Sequence, residues 1–309
     1  MKNILWIISL FAFLNGFTSC EYPWVDHDYP YTSVYFVNQY YNRNVIIGEG
    51  LQIGVGISFS GVVDNKEERT ATLAVDPALV IEEDKSVLPP DYYTVQNNFK
   101  IVIPKGSYSG YLPVTLDSVK FLNDPKAVSG EYVLPMRIVS VSKVDSINEE
   151  KDYICISLSY LAKQFGNYQY SGDYFKYFDG VVFSYNAFAN LASDNNSFRF
   201  LETTGPTTFR MVADARNPED PALNVQFFIH LETRGTAVTI ESAPESTYEV
   251  LSTPGLCNYN PEKRRIHLEY SWIDENDVVN EVIEDLDFRN RIYDVQSDLR
   301  FINEWRGDF

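Results

Sequence analysis

Histidine, cysteine, methionine and basic charge are all scarce in this 309-residue chain, with three residues each of His, Cys and Met and only 25 Lys and Arg against 43 Asp and Glu. Each scarcity removes a class of chemistry. Nucleophilic catalysis by a Ser, His and Asp set, or by Cys and His, needs a base beside the nucleophile, and none of His27, His230 and His267 stands in a nucleophile-elbow or papain-like context. No HExxH, CxxC or P-loop pattern occurs, so neither a zinc site nor a nucleotide site has a motif, and no metal or cofactor is expected. Oxygen-rich stretches that could suit calcium, Asp194-Asn195-Asn196 and Asn217 to Asp220, lack the spacing of an EF-hand loop. A net charge of −18 argues against nucleic acid and against anionic lipid as partners of a basic patch. Helical stripes are rare, and no apolar run approaches the roughly 20 residues of a membrane-spanning helix.

The longest apolar run is Ile4 to Leu14, preceded by Lys2 and followed by Ser19-Cys20. That is the length and charge pattern of a signal peptide over residues 1–19. A small residue before Cys resembles the lipobox of bacterial lipoproteins, which implies that Cys20 is lipidated and becomes the first mature residue. Stable anchoring takes more than one acyl chain, as such a modification provides. Residues 20–30, with Pro23, Asp26, Asp28 and Pro30, read as a polar tether, and the acids Glu21, Asp26 and Asp28 partly resemble a surface-export signal. The expected location is the outer membrane, facing the cell surface, with membrane contact through the lipid alone.

The body reads as all-β, in short alternating runs broken by Gly, Pro, Asn and Asp. Eight candidate strands between Ser33 and Tyr160 fit an immunoglobulin-like two-sheet sandwich over residues 31–162, with a short helical turn at Asp76 to Val80. A Gly-, Asn-, Gln- and Tyr-containing stretch suggests a linker at 163–170. Strand patterns resume in 171–309, for which an antiparallel barrel and a second sandwich both satisfy the pattern. In this half Ile266, Leu268 and Tyr270 alternate with Arg265, His267 and Glu269, predicting one buried and one wet face. Pro135 inside Tyr132 to Val141 implies an edge or a bulge. Cys155 and Cys257 read as small core side chains, with a bridge between the two halves left open.

Three segments carry a resemblance: Leu88-Pro89-Pro90-Asp91-Tyr92-Tyr93, Ile101 to Gly110 with Pro104-Lys105-Gly106 at its centre, and Tyr132 to Ile138. In order and spacing they resemble an uncharacterised Bacteroidetes N-terminal domain family that follows the lipobox in surface lipoproteins of polysaccharide utilisation loci, including ones with a chitinase-like endoglycosidase domain. The second half resembles the companion C-terminal domain of unknown function, around Tyr259-Asn260-Pro261 and the run to Arg289. The resemblance implies a lipoprotein acting beside SusC-like and SusD-like uptake proteins in glycan capture, and brings no catalytic residues. Asp117-Ser118-Val119 and Asp145-Ser146-Ile147 resemble the sequon for O-glycosylation in exported Bacteroidetes proteins, at Ser118 and Ser146.

For polysaccharide or oligosaccharide recognition the chemistry needed is flat aromatic faces beside amides and carboxylates, and aromatics make up 15% of the chain. Tyr168, Tyr170, Tyr174, Tyr177 and Phe178 interleave with Asn167, Gln169 and Asp173, while Tyr40 and Tyr41 stand among Asn38, Gln39 and Asn42. Trp272 and Trp305 are further candidate platforms. Paired carboxylates for a glycosidase could come from Asp274, Glu275 and Asp277, or from Glu284, Asp285 and Asp287, yet the chitinase-like acidic strand motif is missing. The expectation is a non-enzymatic glycan-binding lipoprotein. Its alternatives are a structural or adhesin-like scaffold of the envelope, and a glycosidase on an all-β scaffold.

Overall fold

A computed structural model describes residues 29, 31–189, 198–214, 224–231, 235–291, 293–295 and 298–300. The first domain has eleven strands: β1 Ser33–Tyr35, β2 Tyr40–Ile46, β3 Gln52–Ser60, β4 Arg69–Val75, β5 Ser86–Val87, β6 Tyr93–Val95, β7 Lys100–Ile103, β8 Ser109–Leu116, β9 Tyr132–Ser142, β10 Ser146–Ile147 and β11 Tyr153–Leu161. They form two sheets, ordered β10-β1-β3-β8-β6 and β2-β11-β9-β4-β7, with β5 added to β9. Alternation drives the packing. Ile53, Val55, Ile57 and Phe59 of β3 point inward with Leu112, Val114 and Leu116 of β8, and meet Leu134, Met136, Ile138, Ile154, Ile156 and Leu158 of the facing sheet. This is the expected sandwich, and the turn at Pro77–Leu79 is a 3₁₀ turn capped by Asp76.

Two features depart from the sequence reading. Edge strand β2, parallel to β11, is hidden in the sequence by Asn42, Arg43 and Asn44, polar residues that an edge tolerates. Pro135 lies in β9, an interior strand, so the expected edge is absent; the strand does carry a bulge, four residues on, where Val139 falls between the pairs Ile138–Leu73 and Ser140–Thr72. The missing donor of Pro135 falls where β4 is ending: Asp76 N–H still donates to Pro135 O at 3.2 Å, and the chain then leaves the sheet for the 3₁₀ turn.

The second domain resolves the choice between sandwich and barrel. Its strands are β12 Gly166–Phe178, β13 Val181–Ala189, β14 Arg199–Thr203, β15 Thr208–Asp214, β16 Asn224–Leu231, β17 Val238–Ser242, β18 Asn258–Asn260, β19 Arg265–Ile273 and β20 Val279–Asn290, followed by a hairpin of β21 Tyr293–Val295 and β22 Asp298–Arg300. One sheet runs β17-β16-β15-β14-β12-β20-β19-β18, with β13 beside β12. Its two ends then meet: Ala237 bridges Asn258, and Tyr259 N–H donates to Thr236 O at 2.7 Å. The sheet is thereby a nearly closed antiparallel barrel. Its interior holds Leu201, Phe209, Met211, Val225, Phe227, Ile229, Ile266, Leu268, Val282 and Leu286.

The boundary between domains is shorter than expected. Strand β12 begins at Gly166, so the connection is 162–165 where the sequence suggested 163–170, and 166–170 belong to the barrel. The joint is structured. Arg264 and Arg291 both donate to Lys163 O, at 2.9 and 3.1 Å, and Arg291 pairs with Glu49 of the β2–β3 turn at 2.8 Å. Ile47 packs against both hydrophobic cores. Cys155 and Cys257 are free thiols, one in each domain.

The β12–β20 ladder is tightest at Gly172, where an added Cβ would lie 2.0 Å from Ile283 O and 2.7 Å from Glu284 Cα. Gly172→Ala is therefore expected to destabilise the barrel by about 1–3 kcal/mol. Differential scanning fluorimetry checks this, as a fall in melting temperature of roughly 4 °C per kcal/mol.

Candidate functional site

Along β12 successive side chains face opposite sides of the barrel wall, and this divides the tyrosine-rich stretch in two. Tyr168 and Tyr170 point inward and are buried, at 0% and 3% exposure, as is Trp272 at 1%. These three expected platforms are core residues. Trp272 stacks between Tyr174 (6.1 Å, 16°) and Tyr270 (6.3 Å, 24°), and Tyr270 contacts Phe227 at 4.7 Å. Tyr168 donates its hydroxyl to Gln164 O at 2.7 Å, and burial raises its pKa. Tyr174 is half-buried on the inner side, donates to Asn280 Oδ1, and is pushed up to about 12, mainly by burial.

The barrel also buries an ion pair. Arg199 Nε donates to Glu284 Oε2 at 3.0 Å, Tyr270 OH donates to Oε1 at 2.8 Å, and the guanidinium lies 4.4 Å over the Tyr170 ring. Both Glu284 oxygens are thus engaged inside the barrel. The neighbouring acids are committed too. Asp285 pairs with His267 at 2.8 Å and Asp287 with Arg265 at 2.7 Å on the outer face, while Asp274 accepts from the backbone of Asn276 and Val278 in its own turn.

The outward residues of β12 make a different surface. Phe175 lies opposite Tyr185 of β13 and Glu281 of β20, so all three share the outer face. The Phe175 ring is 5.0 Å from Tyr185 and 6.2 Å from Tyr177, tilted by 34° and 36°. Both phenols are fixed by carboxylates. Tyr185 OH donates to Asp173 Oδ1 at 2.7 Å and Tyr177 OH to Glu281 Oε2 at 2.6 Å, and each bond raises the phenol's pKa. A bulge in the ladder sets Lys176 opposite Ser184 but Tyr177 opposite Val182, which leaves Phe183 between the paired positions with 58% of its surface exposed. Tyr185 is equally exposed. Of the expected aromatic residues, Tyr177 belongs to this face; Phe175 and Tyr185 complete it. The face lies at the end of β12 away from the joint, since the ten residues from Asn167 to Tyr177 span roughly 33 Å.

The other expected sites are scattered. Ser118 is exposed in a turn whose Asp117 accepts from Val119 and Lys120 N–H, whereas Ser146 is half-buried in β10 and donates its hydroxyl to Thr32 O. Cys20, Trp305, Asp194 to Asn196 and Asn217 to Asp220 lie outside the described residues.

Fold and site together define a two-domain all-β protein, a sandwich followed by a barrel with an aromatic outer face. A family model described as "-like, N-terminal domain" matches residues 29–145, most of the sandwich. No curated protein matches the chain. A crystal structure of a protein of unknown function from Bacteroides ovatus superposes with a TM-score of 0.67 at 19% identity, over 86% of this chain and 97% of that one, so the fold recurs there along nearly the full length. A multidomain protein including DUF1735 from Bacteroides ovatus (TM-score 0.39, 14% identity, 84% and 94% of the two chains) and an auxiliary nutrient binding protein from Bacteroides thetaiotaomicron (0.36, 13%, 77% and 82%) superpose too loosely to bear on function.

The pairing of His267 has a pH consequence. Burial depresses the imidazolium, but hydrogen bonds to Asp285 and Glu269 outweigh it and the net pKa is raised above 6.5. A group raised on folding stabilises fully below its unfolded pKa and loses that contribution as pH climbs through the folded value. The melting temperature of wild type relative to His267→Gln should therefore be greatest below about pH 6.5 and the difference should shrink above it, as thermal scans across that range would show.

Proposed function

We propose that the protein is a non-catalytic glycan-binding lipoprotein of the cell surface that holds polysaccharide on the outer face of β12 and β13. The observation that carries this reading is the row of Tyr177, Phe175 and Tyr185, three rings on one accessible face, two of them locked by hydrogen bonds to Asp173 and Glu281. Rings fixed in advance lose little entropy on binding. Tilted aromatic faces accept the C–H side of sugar rings, and carboxylates beside them accept hydroxyl protons. The commitment of Glu284, Asp285, Asp287 and Asp274 to internal partners supports binding without hydrolysis. The lipobox-like end at Cys20 and the resemblance of the first domain support an anchored protein working beside a SusC-like and SusD-like uptake pair.

A protein-docking role is the second reading, favoured by β13, whose Val181, Val182 and Phe183 are all exposed on an edge strand. Affinity electrophoresis through a panel of plant, fungal and host polysaccharides separates the two. Wild type should be retarded by at least one polymer, and Phe175→Ala with Tyr185→Ala should lose about tenfold or more in affinity, as withdrawal of a roughly 1.5–3 kcal/mol aromatic contact implies. Retardation by no polymer, or release of sugars by purified wild type, overturns the reading. For the anchor, Cys20→Ser should abolish labelling by a radioactive fatty acid and shift the protein out of the membrane fraction.

A further inference from the structure

After β4 the chain leaves its sheet, turns at Pro77–Leu79, and crosses the outer face of β11 and β9 before rejoining β9 as β5. Asp76 is pinned by Arg137 at 2.8 Å at the start of this crossing, and Lys85 by a 3.0 Å bond to Gly130 O at its end. Between the crossing segment and edge strand β2 lies a cleft of about 310 Å³. Register places its floor: Cys155 is beside Tyr40, and Ser157 is beside both Asn42 and Val133. Its two lips are Tyr40 on β2 and Ile81 on the crossing segment, which are 65% and 84% exposed. Exposed apolar side chains at the lips, over a floor where Ser157 and Asn42 stand among Val133 and Cys155, are the composition of a small-molecule site.

We infer that this cleft is a second binding site, which takes one neutral sugar ring between Tyr40 and Ile81. The ligand class rests on the carbohydrate reading above, while the geometry is independent of the barrel. The volume is at the lower end of the roughly 300–1,000 Å³ of small-molecule sites, enough for a single ring and too little for a chain. Glu82 and Lys85 line it with opposite charges, which suits an uncharged ligand. The hydrogen-bonding groups alternate in kind. Ser157 Oγ gives its proton to Gly130 O and so presents an acceptor, Lys85 has donors to spare beyond its bond to Gly130 O, and Asn42 offers both. Vicinal hydroxyls need that alternation. The Tyr40 ring is held edge-on to Tyr153 at 6.1 Å, with its outer side open.

Cys155 on the floor provides a reporter, because a bound ring would block it while Cys257 of the barrel remains as an internal control. Burial pushes the Cys155 thiol up, so alkylation is slow and easily timed. The mature full-length protein is titrated with free glucose, galactose, mannose, xylose, arabinose, fucose and N-acetylglucosamine, following saturation-transfer NMR and iodoacetamide labelling of each cysteine. At least one sugar should bind at about millimolar affinity and slow labelling of Cys155 alone. Tyr40→Ala and, independently, Asn42→Ala should weaken that sugar about tenfold, while the Phe175→Ala, Tyr185→Ala protein binds it as wild type does. Failure of every sugar to protect Cys155, or binding by both β2 variants within about twofold of wild type, overturns the inference. Protection of Cys155 in a protein that no polysaccharide retards upholds this site and removes the barrel-face reading, and retardation without protection does the reverse.

Discussion

The pairing of β12 with β20 is the constraint on which the rest of the second domain depends. From Asn167–Asn290 to Tyr177–Val279 it is the longest ladder among the described residues, and it joins the barrel's first strand to its last. Because the side-chain period is two, one register decides both faces at once. Tyr168, Tyr170 and Tyr174 go inside with Val282, Glu284 and Leu286; Phe175 and Tyr177 go outside with Glu281. A slip of one residue would bury the outer face and expose the core. Gly172 and Gly166 hold the register by closeness, as a Cβ at either would strike the backbone of β20 within 2.4 Å.

That register also explains why the aromatic face lies outside the barrel. An eight-stranded barrel has an interior about wide enough for its own side chains, and here the stack from Phe227 through Tyr270 and Trp272 to Tyr174 fills it. The remaining inner volume near β14 is taken by Arg199 and Glu284. Burying two charges is costly unless their remaining valences are met, and Tyr270 OH and the Tyr170 ring supply partners for each. The pair forms only when β14 and β20 flank β12 in this order, so it reads as a device for register.

Much of this was legible in the sequence, for reasons that differ between elements. Strands with clean alternation, such as Arg265–Ile273 with Ile266, Leu268 and Tyr270 inward, announce themselves through period two. Gly166–Phe178 does not: Gly166, Asn167 and Gln169 carry the chemistry of a loop, and Tyr168, Tyr170, Tyr174 and Tyr177 are each able to pack or to bind. Without the strand assigned, the period cannot sort Tyr168, Tyr170 and Tyr174 from Tyr177, and Phe175 goes unnoticed. Tyr185 sits in a recognisable strand, but its role depends on lying opposite Phe175, a contact that only the fold supplies. Barrel closure was equally invisible, because it rests on one bridge, Ala237–Asn258, between short or interrupted segments.

The joint couples the two domains. In the sandwich, β3 runs from the joint end at Gln52 to Ser60, and the chain enters beside that far end, where Tyr29 N–H donates to Gly61 O at 2.9 Å. In the barrel, β12 runs from the joint at Gly166 to the aromatic face around Tyr177. Roughly 26 Å of strand therefore separates the entering chain from the joint, and roughly 33 Å more separates the joint from the face. Arg291 bonded to both Glu49 and Lys163, with Ile47 shared by the two cores, couples those lengths without a flexible tether between them. If the chain is anchored ahead of residue 29, as proposed above, this joint fixes how far the aromatic face stands from the end of the sandwich at which the chain enters.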